Sequence, residues 1–151
     1  MDKAELAKQN FLSGMNCAQS VLCAFEEETG LDHETAMKLA SGFGAGMARM
    51  REVCGAVSGM FMAADLIFGP GDPADKAAKD AHYACLQSLA EAFKTETGSV
   101  ICRVMLGLPG QGPDTPVSEP RNRAYYRKRP CAELCALAAD ILEKHLNERS
   151  R

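Results

Sequence analysis

The 151-residue sequence predicts an all-α protein on three observations. No stretch alternates apolar and polar residues with period two over a useful length. Runs of β-branched residues are absent. Apolar positions instead recur at helical spacing, bounded by residues suited to begin and end helices. Hydrophobic residues make up 46% of the chain, enough to build one core. The expectation is a single domain over residues 1–151, a compact bundle of about six or seven helices.

Between Asp2 and Ser13 the positions Ala4, Ala7 and Phe11 mark one helical face, widened by Leu6 and Leu12, and Gly14 is placed to end it. Asn16 reads as the next N-cap with Gln19 in capping-box position, so a second helix runs from Cys17 to about Thr29 and closes at Gly30. Asp32 caps a third helix through His33, Ala36, Met37 and Ala40, which ends in a loop with glycines at 42, 44 and 46. A charged MARMRE turn leads into a fourth helix that carries Cys54 and stops at Gly69-Pro70-Gly71. On that helix Gly55 and Gly59 share one face and allow a neighbouring backbone to come very close.

Asp72-Pro73-Ala74-Asp75 reads as the start of a fifth helix, with a cap, a proline at the first position and an acid in the first turn. It runs to Thr97, and Gly98 closes it. Ser99 caps a short sixth helix, VICRVML, ending at Gly107. Residues 108–123 contain Pro109, Pro113, Pro116 and Pro120 and read as an irregular surface connection. Pro130 opens a last helix whose buried stripe is Leu134, Leu137, Ala138, Ile141 and Leu142.

A net charge of −3 and few aromatic residues, with no tryptophan, argue against nucleic acid as a partner. The longest apolar run is broken by Asp65, and the N-terminal stretch lacks the apolar centre of a signal peptide. A cytoplasmic protein without a membrane span is expected. The GFGAGM loop follows no strand and lacks the lysine of a P-loop, so its glycines are read as allowing tight turns beside a functional cysteine.

Cysteine carries the chemistry. Seven thiols cannot all pair within one chain, and a reducing compartment would not keep structural bridges. Cys17, Cys54, Cys102 and Cys131 fall in or near the first turn of a helix, whereas Cys23, Cys85 and Cys135 lie deeper. Free N–H groups and the helix dipole at such positions stabilise a thiolate and draw its pKa from about 8.5 toward neutrality. Cys17 or Cys54 is expected to be the most reactive. Cys131 and Cys135 lie one turn apart on one face, so the identity of the last site cysteine stays open between them. Arg121, Arg123, Arg127, Lys128 and Arg129, interleaved with Tyr125 and Tyr126, lead into Cys131. They read equally as tuning that thiol or as a solvated basic loop. His33 and His145 read as exposed, His82 as able to reach the same neighbour as Cys85, and no two histidines have metal-binding spacing.

The Asn16-Cys17-Ala18-Gln19-Ser20 segment, the GFGAGM loop, Glu52-Val53-Cys54-Gly55-Ala56-Val57-Ser58-Gly59, Cys102-Arg103 and Cys131 together resemble the C_GCAxxG_C_C family of four-cysteine, redox-active or cluster-binding helical proteins. The resemblance spans nearly the whole chain and implies that Cys17, Cys54, Cys102 and Cys131 form the site. The chain has no CxxCH, so covalent haem is excluded.

Three readings follow. The four thiols hold an iron–sulfur cluster or another thiolate-bound metal. Alternatively, two of them cycle between dithiol and disulfide. In the third reading the chain is a non-enzymatic helical module for a small ligand or metal, with structural cysteines. The first two share a redox-active cysteine centre and are preferred, with Gly55 and Gly59 as the residues that bring the central helix up to a cofactor. An electron-transfer or thiol partner protein is implied, and the apolar helix faces suit a homodimer.

Overall fold

The computed structural model describes residues 1–151. Its helical elements are α1 (Lys3–Leu12), α2 (Cys17–Cys23), α3 (Glu26–Thr29), α4 (His33–Leu39), α5 (Gly44–Met47), α6 (Gly55–Phe68), α7 (Lys76–Thr97), α8 (Cys102–Met105), α9 (Arg123–Lys128) and α10 (Cys131–Arg149). There is no strand, only an isolated antiparallel bridge between Val53 and Ile101. The all-α expectation holds, and no helix is long and apolar enough to cross a membrane.

The caps explain where the elements begin. Asp2 accepts from the Glu5 N–H, Asn16 and Gln19 form a reciprocal capping box, and Asp32 accepts from Thr35 N–H, all as the sequence suggests. Two starts differ. Helix α7 begins at Lys76 under Asp75, whose side chain accepts from the Ala78 N–H, while Asp72 only closes a turn on the Ala74 N–H. Helix α8 begins at Cys102 rather than just after Ser99, because the Ser99 hydroxyl caps a turn by accepting from Ile101 N–H.

The expected second helix is divided. The Ala24 and Phe25 N–H groups bond three residues back to Val21 and Leu22, tightening the end of α2. The chain then turns so that Phe25 is fully buried, and α3 restarts and ends at left-handed Gly30. An unforeseen α9 follows the proline-rich connection, capped by Asn122 accepting from Tyr125 N–H.

Helix α6 forms the centre. It lies across α2, and α10 packs on both and on α1. Phe11, Leu22, Phe25, Met60, Phe93 and Leu142 are the large side chains of this core. Contact between α2 and α6 depends on missing side chains. A Cβ on Gly59 would stand 2.6 Å from the Ala18 carbonyl oxygen, and one on Gly55 would stand 2.9 Å from Cys17 Cβ.

The α5 segment departs from every ordinary helix. Ala45, Gly46, Met47, Ala48 and Arg49 all have positive φ, between 51° and 68°, and Arg51 follows at 61°. Five consecutive residues therefore make a left-handed turn, which costs roughly 1–2 kcal/mol for each residue that carries a Cβ. Gly46 is required for a second reason, since a Cβ there would stand 2.7 Å from Cys102 Cβ and 2.6 Å from Arg51 Cα. Ala48 is exposed, so Ala48→Gly should raise the unfolding free energy by about 1 kcal/mol in denaturant titration, against the usual penalty for introducing glycine. A loss of stability would show that the turn is not strained at this position.

Candidate functional site

The four cysteines singled out by the sequence reach one place from four segments. Cys17, Cys102 and Cys131 are the first residues of α2, α8 and α10, and Cys54 is the N-cap of α6. Three local arrangements converge them. The glycine contact presses the start of α6 onto the start of α2, bringing Cys54 and Gly55 beside Cys17. The Val53–Ile101 bridge, with Cys54 N–H donating to Val100 O at 2.7 Å and Cys102 N–H to Glu52 O at 2.6 Å, sets Cys102 alongside. Packing of α10 on α2 brings in Cys131, and the buried Cys135 thiol, one turn on, donates to the Cys17 carbonyl at 3.7 Å.

All four thiols line one cavity of about 250 Å³. Gly55 also stands on its wall, whereas Gly59 lies outside it, against Ala18, and acts in helix packing. Cys135 is fully buried behind the wall, so Cys131 is the cysteine at this position that faces the cavity. Cys23 and Cys85 are elsewhere, and Cys85 meets His145 Nε2 at 3.4 Å. His82 pairs with Asp65 at 2.6 Å, and its ring and that of His145 both pack on Phe68.

Three guanidinium groups border the thiols. Arg51, only 4% exposed, places Nη1 3.8 Å from Cys102 Sγ, while its Nε and Nη2 donate to Asp114. Arg121 lies over the Phe11 ring at 4.3 Å and donates to the Phe11 and Met15 carbonyls. Arg129 pairs with Glu119 at 2.6 Å. Arg123, Arg127 and Lys128, from the same basic stretch, do not line the cavity. The tuning reading of that stretch therefore applies to Arg121 and Arg129, and the solvated reading to the other three.

The sequence analysis did not single out Arg49, Arg51, Asp114 or Glu119. Together they fasten the connection over residues 108–122 across the site. Arg49 donates to Thr115 O at 2.6 Å and pairs with Asp114 at 3.2 Å, and the Asp114 N–H returns a bond to Arg49 O. Arg103 donates to the carbonyls of Pro109 and Gly112. The segment is exposed as expected, yet Ser118 and Glu119 wall the cavity. The available signal was two arginines inside the MARMRE turn and acids among prolines, a complementarity that becomes evident only in three dimensions.

The electrostatics reverse the expected direction for the thiols. Burial pushes Cys54 up to about 12, although the Ala56 and Val57 N–H groups at the start of α6 pull the other way as a helix N-terminus should. Burial also raises Cys102, against the pull of Arg51. Cys131 is raised strongly, first by its hydrogen bond with Cys17 and then by burial, with Arg129 and Arg121 opposing. That hydrogen bond draws Cys17 down, but Cys135, burial and the charges of Cys135 and Cys54 outweigh it and leave Cys17 well above the ordinary value. The dipole effect is present and smaller than desolvation plus mutual repulsion. These shifts favour protonated thiols at neutral pH, and a cation bound among them would displace those protons.

A family model described as "Putative redox-active protein (C_GCAxxG_C_C)" matches residues 15–145. No curated protein and no solved structure matches the chain.

Proposed function

We propose, for a chain that belongs to the C_GCAxxG_C_C family, that Cys17, Cys54, Cys102 and Cys131 are a redox centre and hold a thiolate-bound metal, an iron–sulfur cluster being the form that best suits them. The observation that carries this reading is the convergence of four cysteines on one cavity lined by four arginines, of which Arg51, Arg121 and Arg129 act on the thiols. Four cysteine sulfurs are the usual donor set for such clusters, and the guanidinium groups offset the negative charge that four thiolates bring. When bound, the cluster would supply one-electron chemistry. Cys17, Cys54, Cys102 and Cys131 would hold it, Arg51, Arg121 and Arg129 would tune it, and residues 108–122 would screen it from water. A protein partner for electron transfer is part of this reading.

The thiols of Cys17 and Cys131, each the strongest influence on the other's proton, favour a second form of the same centre. Here the two thiols lose two protons and two electrons to a partner disulfide, which becomes two thiols as the Cys17–Cys131 disulfide forms.

Anaerobic purification with iron and acid-labile sulfide analysis, on wild type and Cys54→Ser, tests the centre. Stoichiometric iron and sulfide in the wild type and none in the variant are expected, with helical circular dichroism unchanged. If iron is absent, thiols are counted before and after mild oxidation: loss of the pair at Cys17 and Cys131 identifies the disulfide form. Seven unreactive thiols and no metal overturn both and leave a helical binding module.

A further inference from the structure

A second constellation lies away from the cavity, where α2, α3 and α4 meet. Cys23 is the last residue of α2, Glu26 the first of α3 and His33 the first of α4. Left-handed Gly30 turns the chain back on itself, and Asp32, capping α4 through the Thr35 N–H, fixes the backbone beside His33. As a result the Cys23 sulfur, a Glu26 carboxylate oxygen and a His33 ring nitrogen all lie within 4.8 Å of one another. The His33 Nδ1 is 2.6 Å from Glu26 Oε1.

The geometry points to a binding site for a divalent transition ion of the zinc type, held by Cys23, Glu26 and His33. The three donors are a sulfur, an oxygen and an imidazole nitrogen, each an established ligand of that ion, and together they leave one coordination position to water. Glu26 is the shared partner of the other two: His33 contacts it directly, and the buried Cys23 sulfur lies within 4.8 Å of its carboxylate oxygen. A surface ion pair between glutamate and histidine requires no thiol. Here the thiol is 6% exposed, and its sulfur lies within 4.8 Å of both a Glu26 oxygen and a His33 nitrogen. Binding would replace the thiol proton with metal, releasing it. His33 is exposed, which gives the ion a path from solvent. The donors come from three consecutive elements within eleven residues, so the site depends on local structure and is independent of the four-thiol cavity.

The chain has three histidines, so each imidazole reports separately. Zinc alone is titrated into the reduced full-length protein labelled with ¹⁵N in histidine, and the ring resonances of His33, His82 and His145 are followed. The expected result is a saturable shift of His33 at one equivalent, with His82 and His145 unmoved. Glu26→Gln at a half-buried position, and Cys23→Ser, should each weaken the His33 response by at least roughly tenfold, the minimum seen when even an outer partner of a bound metal is lost. Absence of a His33 shift at millimolar zinc overturns the site. So does a shift whose affinity is the same in both variants, because an exposed histidine would then be binding by itself. Zinc taken up only at the four-thiol cavity, with His33 unmoved up to millimolar zinc, likewise overturns the site.

Discussion

Replacing Gly59 with alanine is expected to lower the unfolding free energy by about 3 kcal/mol, at the upper end of overpacking penalties. The added methyl would sit 2.6 Å from the Ala18 carbonyl oxygen and 3.1 Å from Ala18 Cα, atoms of backbone that no rotamer change can move. Two helices would have to separate, and they are the ones that begin with Cys17 as a first residue and Cys54 as an N-cap. The variant should therefore lose affinity for iron as well as stability. Ser58→Ala, at the neighbouring half-buried position, is the control and should change stability by less than about 1 kcal/mol. A Gly59→Ala protein as stable as wild type would show that the close contact between α2 and α6 does not exist in solution.

Raising the pH above about 8.5 should destabilise the metal-free protein progressively, with the contributions of Cys54 and Cys23 complete near pH 12. In the unfolded chain a cysteine ionises at its ordinary value, whereas in the folded protein Cys54 holds its proton to about 12 and Cys23 does the same. Below the ordinary value both states are protonated, and the preference of the fold for neutral thiols is fully expressed. Between the two values the unfolded state has lost protons that the folded state retains, so unfolding becomes easier with each increment. For the deeply buried Cys54 the full effect is about 4 kcal/mol. Urea midpoints at about pH 8 and about pH 11 measure it, and Cys54→Ala should flatten the decline. Midpoints that do not differ between these pH values would mean that the thiols are not shielded as the structure has them. Metal uptake should respond in the opposite sense, tightening as pH rises, because each ligand must give up its proton.

Much of the architecture was visible in the residues because its signals are local. Asn16 with Gln19, Asp32, Gly30, Gly69 and Gly98 each mark a boundary through contacts within a few positions. Gly55 and Gly59 announced the close helix contact for the same reason: their spacing alone puts both on one face. Position at a helix start likewise marked four cysteines that line the cavity, while leaving the last place open between Cys131 and Cys135. The direction of their pKa values was not readable, because burial and thiol–thiol contact belong to the assembled molecule. The division after Cys23 was missed, since the demand of Phe25 for burial overrode a continuous helical pattern. The left-handed turn at Ala45 to Arg49 was hidden because alanine, methionine and arginine all favour right-handed helix, and only surrounding contacts hold them otherwise. The Cys23, Glu26 and His33 group escaped because its donors are of three different types across three elements.

The origins of the cavity walls in the chain bear on how the protein is made. Cys17 belongs to the first tenth or so of the sequence and Cys131 arrives with the final helix, so their meeting closes a loop over most of the polypeptide. During synthesis from the N-terminus the α1 and α2 hairpin and the central helix are available early, but the last wall is missing until α10 emerges. An unfinished or truncated chain thus has three of its thiols exposed to whatever metal or oxidant is at hand. Completion of α10 encloses them, and a group then bound there ties α2 to α10 across the intervening chain, stabilising the folded bundle by mass action.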